Sequence, residues 1–411
     1  MHRVRQSLPY YTELGWEPTV VCVDPVGVEA AQDELLLQSI PPRVRVIRVS
    51  AFSTRITRKF GLGSLGLRSL WFYWRQVNQL LQTEKFDLIF FSTTQFPVLI
   101  LGNYWRKSFG VPYVIDMQDP WHSEYYRNKP RHERPPKYWF VYPLNKYLER
   151  IAMRRVSAII AVSAAYHQTL RERYPWIQAA QCHTLTFGAF EKDFEIAKTQ
   201  PGLPLVINSP KIKVVYIGRG GEDMHKALRF LFKAIQTGLI QHSDLFSRIH
   251  FFFLGTSYAP PGQGIPTIIP LAEEYGIQDQ VTEVTDRIPY YESLRTLQLS
   301  DILLIPGSDD PQYTASKIYP YVLAKRPIIA LFHKESSAGK ILKSLNIGIV
   351  EVFEDHTVAS QLNEKIYTSI FKLLTSRLEN TEINQDIFSI YLAGAKTQQQ
   401  VMIFNQIKLP I

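Results

Sequence analysis

Residues Asp301–Phe332, DILLIPGSDDPQYTASKIYPYVLAKRPIIALF, decide the fold. Ile302–Ile305 is a short continuous apolar run, Pro306–Pro311 is rich in turn formers, a helix fits from Ser316, and Ile328–Phe332 is a second apolar run. The order predicts strand, loop, helix and strand. In a parallel sheet such a loop opens at the carboxyl edge, where ligands bind. Thr314, Ser316 and Lys317 fall where the helix starts, so hydroxyls, free backbone N–H groups and one ammonium gather there, the outline of a phosphate site. The same residues would equally serve a plain capped helix with a solvated lysine. Pro320 limits where the helix starts. Inside a helix proline costs about 3 kcal/mol, whereas the first turn tolerates it, so the helix begins near Ser316 or Lys317.

A chain of 411 residues is too long for one ordinary core. Two domains are expected, at 1–198 and 211–385, joined by a linker containing Pro201, Pro204 and Pro210, with 386–411 forming a helix that returns to the first domain. The 45% hydrophobic and 20% charged content are those of a soluble globular protein. No apolar run reaches the roughly 18 residues of a spanning helix, since Leu88–Leu101 is broken by Ser92, Thr93, Thr94 and Gln95. Arg3 and Arg5 lead into Ser7 and Pro9 rather than the apolar stretch of a signal peptide. Two cysteines, Cys22 and Cys182, in strand-like surroundings read as reduced thiols of a cytoplasmic protein, and no Cys/His cluster has the spacing of a metal site.

All of the net charge of +9 belongs to residues 1–200. Basic and aromatic residues interleave in 55–82 and again in 125–155, the latter with nine Lys and Arg among tyrosines, Trp139 and Phe140. Such stretches suit an anionic membrane surface, which would make the protein peripheral on the inner face, or equally helices with one wet basic side. Nucleic acid is not expected, because no reading motif accompanies the charge.

Strands expected at 18–23, 44–49, 87–91, 112–117, 158–162 and 183–187 alternate with helices, the pattern of an α/β, doubly wound parallel sheet. The fourth ends in Asp116-Met117-Gln118-Asp119-Pro120-Trp121-His122, an acid-rich turn placed to touch a ligand. Asp119 could equally cap the turn, and His122 reads more simply as a surface residue. In the second half, VVYIGRGGED is a strand running into a turn with Gly218, Gly220 and Gly221, by itself a weak dinucleotide signal. The strand Val281–Val284 leads to Asp286-Arg287-Ile288-Pro289-Tyr290.

Taken together, Ser316, Lys317, Tyr319, Tyr321 and Pro327, the phrase VIDxxDPW, the phrase RRVSAIIAVS, the Gly218-Arg219 strand end and the Ile288-Pro289 turn resemble the GT-B glycosyltransferases of the family 4 type. The resemblance runs over nearly the whole chain from Gly15. It implies two Rossmann-like domains facing a cleft, a nucleotide-sugar donor held mainly by the second, and a sugar, lipid-linked or small-molecule acceptor held by the first. It also implies transfer with retention of configuration and without a metal or other cofactor. Arg219 and Lys317 would carry the leaving diphosphate, helped by Lys226, with Gly218, Gly220, Gly221, Thr314 and Ser316 around it and Arg287, Ile288 and Pro289 toward the nucleobase. Asp119 is implied in the chemistry, and Asp116, Trp121, His122 and Gly188 in contacts to sugar or acceptor.

Several positions depart from the family. Pro320 replaces a glutamate that holds ribose, Lys325-Arg326 replaces Gly-Lys, and Asp309 and Asp310 come a few residues before the place of a second glutamate. Relatives open with a strand and a Gly-rich turn that this sequence lacks, so an N-terminally shortened form is expected. Two other readings stay open: a nucleotide-sugar epimerase of the same fold, and a non-catalytic relative that binds a nucleotide sugar or a partner protein.

Overall fold

The computed structural model describes residues 2–28, 33–57, 63–122, 124, 127, 130–131, 134, 137–310, 317–354, 356–376 and 383–407. Two compact units emerge: Met1–Phe187 together with Ala393–Ile411, and Gly188–Leu392. The boundary expected near 198 therefore falls between Phe187 and Gly188. The reason lies in the helix Glu191–Ala197, where buried Asp193 accepts hydrogen bonds from the hydroxyls of Tyr290 (2.8 Å) and Tyr291 (3.0 Å), fixing this segment to the helix Tyr290–Leu299. Nor is the proline-rich stretch a bare linker, since Pro204 opens a short helix, Pro204–Ile207.

Among its described residues the first unit has six strands: β1 (Thr19–Val23), β2 (Arg45–Val49), β3 (Ile89–Ser92), β4 (Tyr113–Met117), β5 (Ala158–Ala161) and β6 (Cys182–Thr184). All pairings are parallel. They form two sheets, β1-β2 and β3-β4-β5-β6, where the sequence predicted one. Strands β4 and β5 are buried on both faces, as a parallel sheet under two helical layers requires. On one side Ile115 and Ile159 pack with Trp105, Leu148 and Leu170; on the other Val114 and Ile160 pack with Leu8, Tyr11, Val401 and Phe404. The last four belong to the helices His2–Tyr11 and Ala393–Asn405, so the carboxyl-terminal helix is part of this unit's core.

The second unit is one six-stranded parallel sheet: β7 (Ile212–Ile217), β8 (Ile249–Leu254), β9 (Val281–Val284), β10 (Ile302–Pro306), β11 (Ile328–His333) and β12 (Ile349–Phe353), in the order β12-β11-β10-β7-β8-β9. The chain winds outward from the centre in both directions, and β7 and β10 are the neighbours between which it reverses. A crevice opens outside the carboxyl ends of such a pair. The helix after β10 is Ile318–Leu323, which puts Pro320 in its first turn, where its missing N–H costs nothing.

Burial also explains an inward-facing charge. Arg3 and Asp116 are both buried, with Arg3 Nε 2.9 Å from Asp116 Oδ2, while the guanidinium donates to the carbonyls of Leu185 (2.8 Å) and Thr186 (3.2 Å). This ties the amino-terminal helix to the carboxyl ends of β4 and β6. Removing one partner strands the other charge, so Arg3→Met and Asp116→Asn should each cost about 3–5 kcal/mol of the first unit's stability. Urea denaturation of both single variants and the double checks this: the double should lose less than the sum of the singles, whereas strict additivity would show that the pair does not couple.

Candidate functional site

The residues around the reversal point come from three loops. Strand β7 runs into Gly218-Arg219-Gly220-Gly221, and three backbone or hydroxyl contacts fix that loop. Gly218 N–H donates to Leu254 O (2.9 Å), Gly220 N–H to Thr256 O (2.9 Å), and the Tyr216 hydroxyl to Arg219 O (2.9 Å). After β10, Asp309 N–H donates to Asp223 O (2.8 Å), joining the second loop to the first. Gly307 is needed where this loop passes β11: a Cβ there would lie 2.6 Å from Leu331 O and 2.9 Å from Phe332 Cα. Tyr321 closes the arrangement from below, because its hydroxyl accepts from Ile217 N–H at 2.8 Å and so links the helix after β10 to the end of β7.

Lys317, just before that helix, points its ammonium at Gly218. A Cβ on Gly218 would collide with Lys317 Nζ and come within 2.6 Å of the Tyr216 hydroxyl, so glycine is required for the lysine to lie there. The ammonium stands 5.4 Å from the centre of the Tyr216 ring, a cation–π contact. Burial, then the nearby Arg287 and Arg219 guanidiniums, push its pKa down to about 8. Three cations thus converge on one place.

Arg219 is held by a two-pronged ion pair with Asp223, at 2.7 and 2.6 Å. Burial acts to raise the Asp223 pKa, but hydrogen bonds from Arg219 and Ser308 outweigh it and hold the carboxyl below its ordinary value. Arg287, after β9, donates to Gly255 O at 2.8 Å and lies 4.3 Å over the Tyr258 ring. Beside it Ile288 is half-buried and Pro289 exposed, the latter capping the helix Tyr290–Leu299. Chemically, the arrangement can receive a small anion carrying more than one negative charge.

Of the residues singled out in the sequence, Gly218, Arg219, Gly220, Gly221, Arg287, Ile288, Pro289 and Lys317 come together in these loops. Lys226 has a different neighbour, its ammonium lying 5.6 Å from the centre of the Phe353 ring at the end of β12. Thr314 and Ser316 lie outside the described residues, as do Tyr125, Tyr126 and Lys129. Gly188 opens the second unit. Sequence reasoning missed Asp223 and Tyr216 and met Tyr321 only as part of the family resemblance. The Arg219-to-Asp223 spacing of one helical turn was the signal for the first.

In the first unit the acid-rich turn faces inward, which corrects two expectations. Asp116, expected to touch a ligand, is buried. One of its oxygens receives Ser92 Oγ (2.7 Å) and Gln118 Nε2 (2.8 Å) in addition to Arg3. His122, expected at the surface, is buried with Nε2 3.3 Å from Glu149 and 3.2 Å from Arg173. Glu149 is fully buried and also accepts from the Tyr174 hydroxyl (2.8 Å). Trp121 is buried too, stacked on Phe96 and donating to Asn145. Asp119 alone among the four is exposed.

Residues 3–186 match the family model described as Glycosyltransferase Family 4. No curated protein matches the sequence. Among solved structures, a glycosyltransferase from Rickettsia africae is similar at 13% identity and a TM-score of 0.58, over 99% of this chain and 94% of that one. HepE from Anabaena, solved in complex with UDP-glucose, is 15% identical with a TM-score of 0.52, over 95% and 98%. A UDP-forming α,α-trehalose-phosphate synthase from Burkholderia xenovorans is 13% identical with a TM-score of 0.54, also over 95% and 98%. The chain thus has the two-domain GT-B fold, and its residues 3–186 are similar to glycosyltransferase family 4.

Proposed function

We propose that the protein transfers a glycosyl group from a uridine-diphosphate sugar to an acceptor hydroxyl, with retention of configuration, and that side-chain cations rather than a metal meet the charge on the leaving group. The observation that carries this is the convergence of Arg219 after β7, Lys317 after β10 and Arg287 after β9, with the Lys317 pKa lowered by burial first and then by the two guanidiniums. A diphosphate offsets that surplus of positive charge. As the bond between the anomeric carbon and the phosphate oxygen breaks, negative charge grows on the diphosphate, where fixed cations stabilise it without reorganising. The acceptor hydroxyl attacks from the same face, and the departing phosphate oxygen takes its proton. Uridine is favoured because HepE was solved with UDP-glucose and the trehalose-phosphate synthase is UDP-forming. Ile288 and Pro289 offer the apolar edge for the base, and exposed Asp119 contacts the sugar or the acceptor.

The reading extends to location: a cytoplasmic protein held reversibly on an anionic membrane, with a sugar, lipid-linked or small-molecule acceptor. Trp139 is 80% and Tyr147 64% exposed on the helix Tyr138–Met153, which also carries Lys146 and Arg150. Trp71 and Trp74 are exposed on the helix Leu65–Thr83 beside Arg75. No helix among the described residues is long and apolar enough to cross a membrane. Each basic residue near an anionic surface contributes about 1 kcal/mol, and exposed tryptophans suit the headgroup layer.

Two experiments test this. Charge-assisted contacts to phosphate contribute about 1.5–3 kcal/mol each, so Arg219→Ala or Lys317→Ala should weaken UDP binding about ten- to a hundredfold in calorimetric titration while uridine binds almost unchanged. Equal loss for UDP and uridine, or no loss, would place the diphosphate elsewhere. Co-sedimentation with liposomes should rise with phosphatidylserine content, fall with salt and weaken in Trp139→Ser; binding that is equal on neutral vesicles, or absent from both, would remove the membrane part of the proposal.

A further inference from the structure

The first unit holds a cavity of about 580 Å³ at the opposite edge of its sheet from Asp116 and Asp119. Its walls come from segments that enter strands rather than leave them. Arg106 is in the last turn of the helix that feeds β4, Arg154, Arg155 and Ser157 precede β5, and Gln181 and His183 stand at the start of β6. Val156 and Ile403 form part of its apolar lining. The size is within the range of small-ligand sites.

The charge of the cavity is one-sided. Three arginines line it, and among the described residues no aspartate or glutamate does. Two of the three are oriented by neutral acceptors, Arg106 donating to Gly110 O (3.0 Å) and Arg155 to Asn103 Oδ1 (2.9 Å), so their direction is fixed while their charge stays uncompensated. Among the described residues no carboxylate pairs with any of the three. Concave surfaces of one sign focus potential and concentrate counter-ions. Guanidinium forks match phosphate oxygens two at a time, and the Ser157 hydroxyl, the Gln181 amide and the His183 ring add neutral polar groups around them.

We infer that this cavity is a second anion site, taking a phosphate-bearing ligand with Arg106, Arg154 and Arg155 as its contacts. The shared chemistry is a phosphate group of two or more negative charges, whether on a soluble compound or on a lipid headgroup. The site does not depend on the donor reading, since its residues all belong to the first unit.

The test begins from the Arg219→Ala/Lys317→Ala protein, in which the second unit's cations are reduced, so that its outcome is separate from that of the donor site. Calorimetry with inorganic pyrophosphate and co-sedimentation with phosphatidic acid vesicles supply the two arms. Pyrophosphate binding that persists in this background, and falls at least tenfold on adding Arg154→Ala/Arg155→Ala, establishes a site for soluble phosphates. Vesicle binding that falls in the same way, without pyrophosphate binding, establishes a headgroup site. Arg154→Lys/Arg155→Lys should recover only part of either loss, because ammonium groups cannot make the forked contact. Arg154→Glu, at an exposed position, provides a second variant and should abolish binding while melting like its parent. No binding in either arm, or binding that ignores all of these substitutions, would overturn the inference.

Discussion

Three positive charges held close together at the carboxyl edge of the sheet, after β7, β9 and β10, are the constraint around which the second unit is arranged. Like charges repel, and burial makes the repulsion larger than it would be in water. Lys317 feels both effects, its pKa pushed down to about 8 by burial first and by Arg287 and Arg219 second. Such a cluster persists only if the scaffold fixes it. Tyr321 joins the helix after β10 to the end of β7, Asp223 grips Arg219 in two places, and Gly218 leaves the space that Lys317 Nζ fills. The scaffold supplies the cations in place, so a ligand need not organise them, which is what preorganised stabilisation of a developing charge requires.

The first unit resolves its buried charge differently. Arg3 and Asp116 neutralise each other inside the fold, and His122, Glu149, Arg173 and Tyr174 form a second buried group. Both networks hold helices near strand ends, although Asp116 Oδ1, Glu149 Oε2 and His122 Nδ1 are buried without a hydrogen-bond partner. The turn after β4 therefore spends most of its polar groups on structure, leaving Asp119 as its exposed carboxylate. The contrast separates a set of charges that satisfy one another from a set that a ligand would satisfy.

Much of this was legible in the sequence because strand ends were. Apolar runs such as VVYI and ILLI have sharp polar boundaries, which place Arg219 and Lys317 at the carboxyl edge of a parallel sheet from the sequence alone. What the sequence could not reveal is pairing over distance. Nothing local marks Asp116 as the partner of Arg3, or His122 as the neighbour of Glu149, so both read as available. The prolines at 201, 204 and 210 suggested a linker, but the hydroxyls of Tyr290 and Tyr291 that bind Asp193 lie in a distant helix. The division of the first unit into two sheets was hidden for the same reason, since strand patterns are local and pairing is not.

In the proposed function a diphosphate offsets the positive charge around Lys317, and nitrogen-15 NMR of lysine Nζ measures that coupling most directly. In the free protein Lys317 should titrate near pH 8, well below the ordinary lysine value of 10.5. With UDP bound, the added negative charge should raise that midpoint. The sign follows: between the two midpoints binding takes up a proton, so UDP affinity should fall as pH rises from 8 toward the upper one. A Lys317 that titrates with the ordinary lysines in the free protein, or whose midpoint UDP leaves unmoved, would contradict the account.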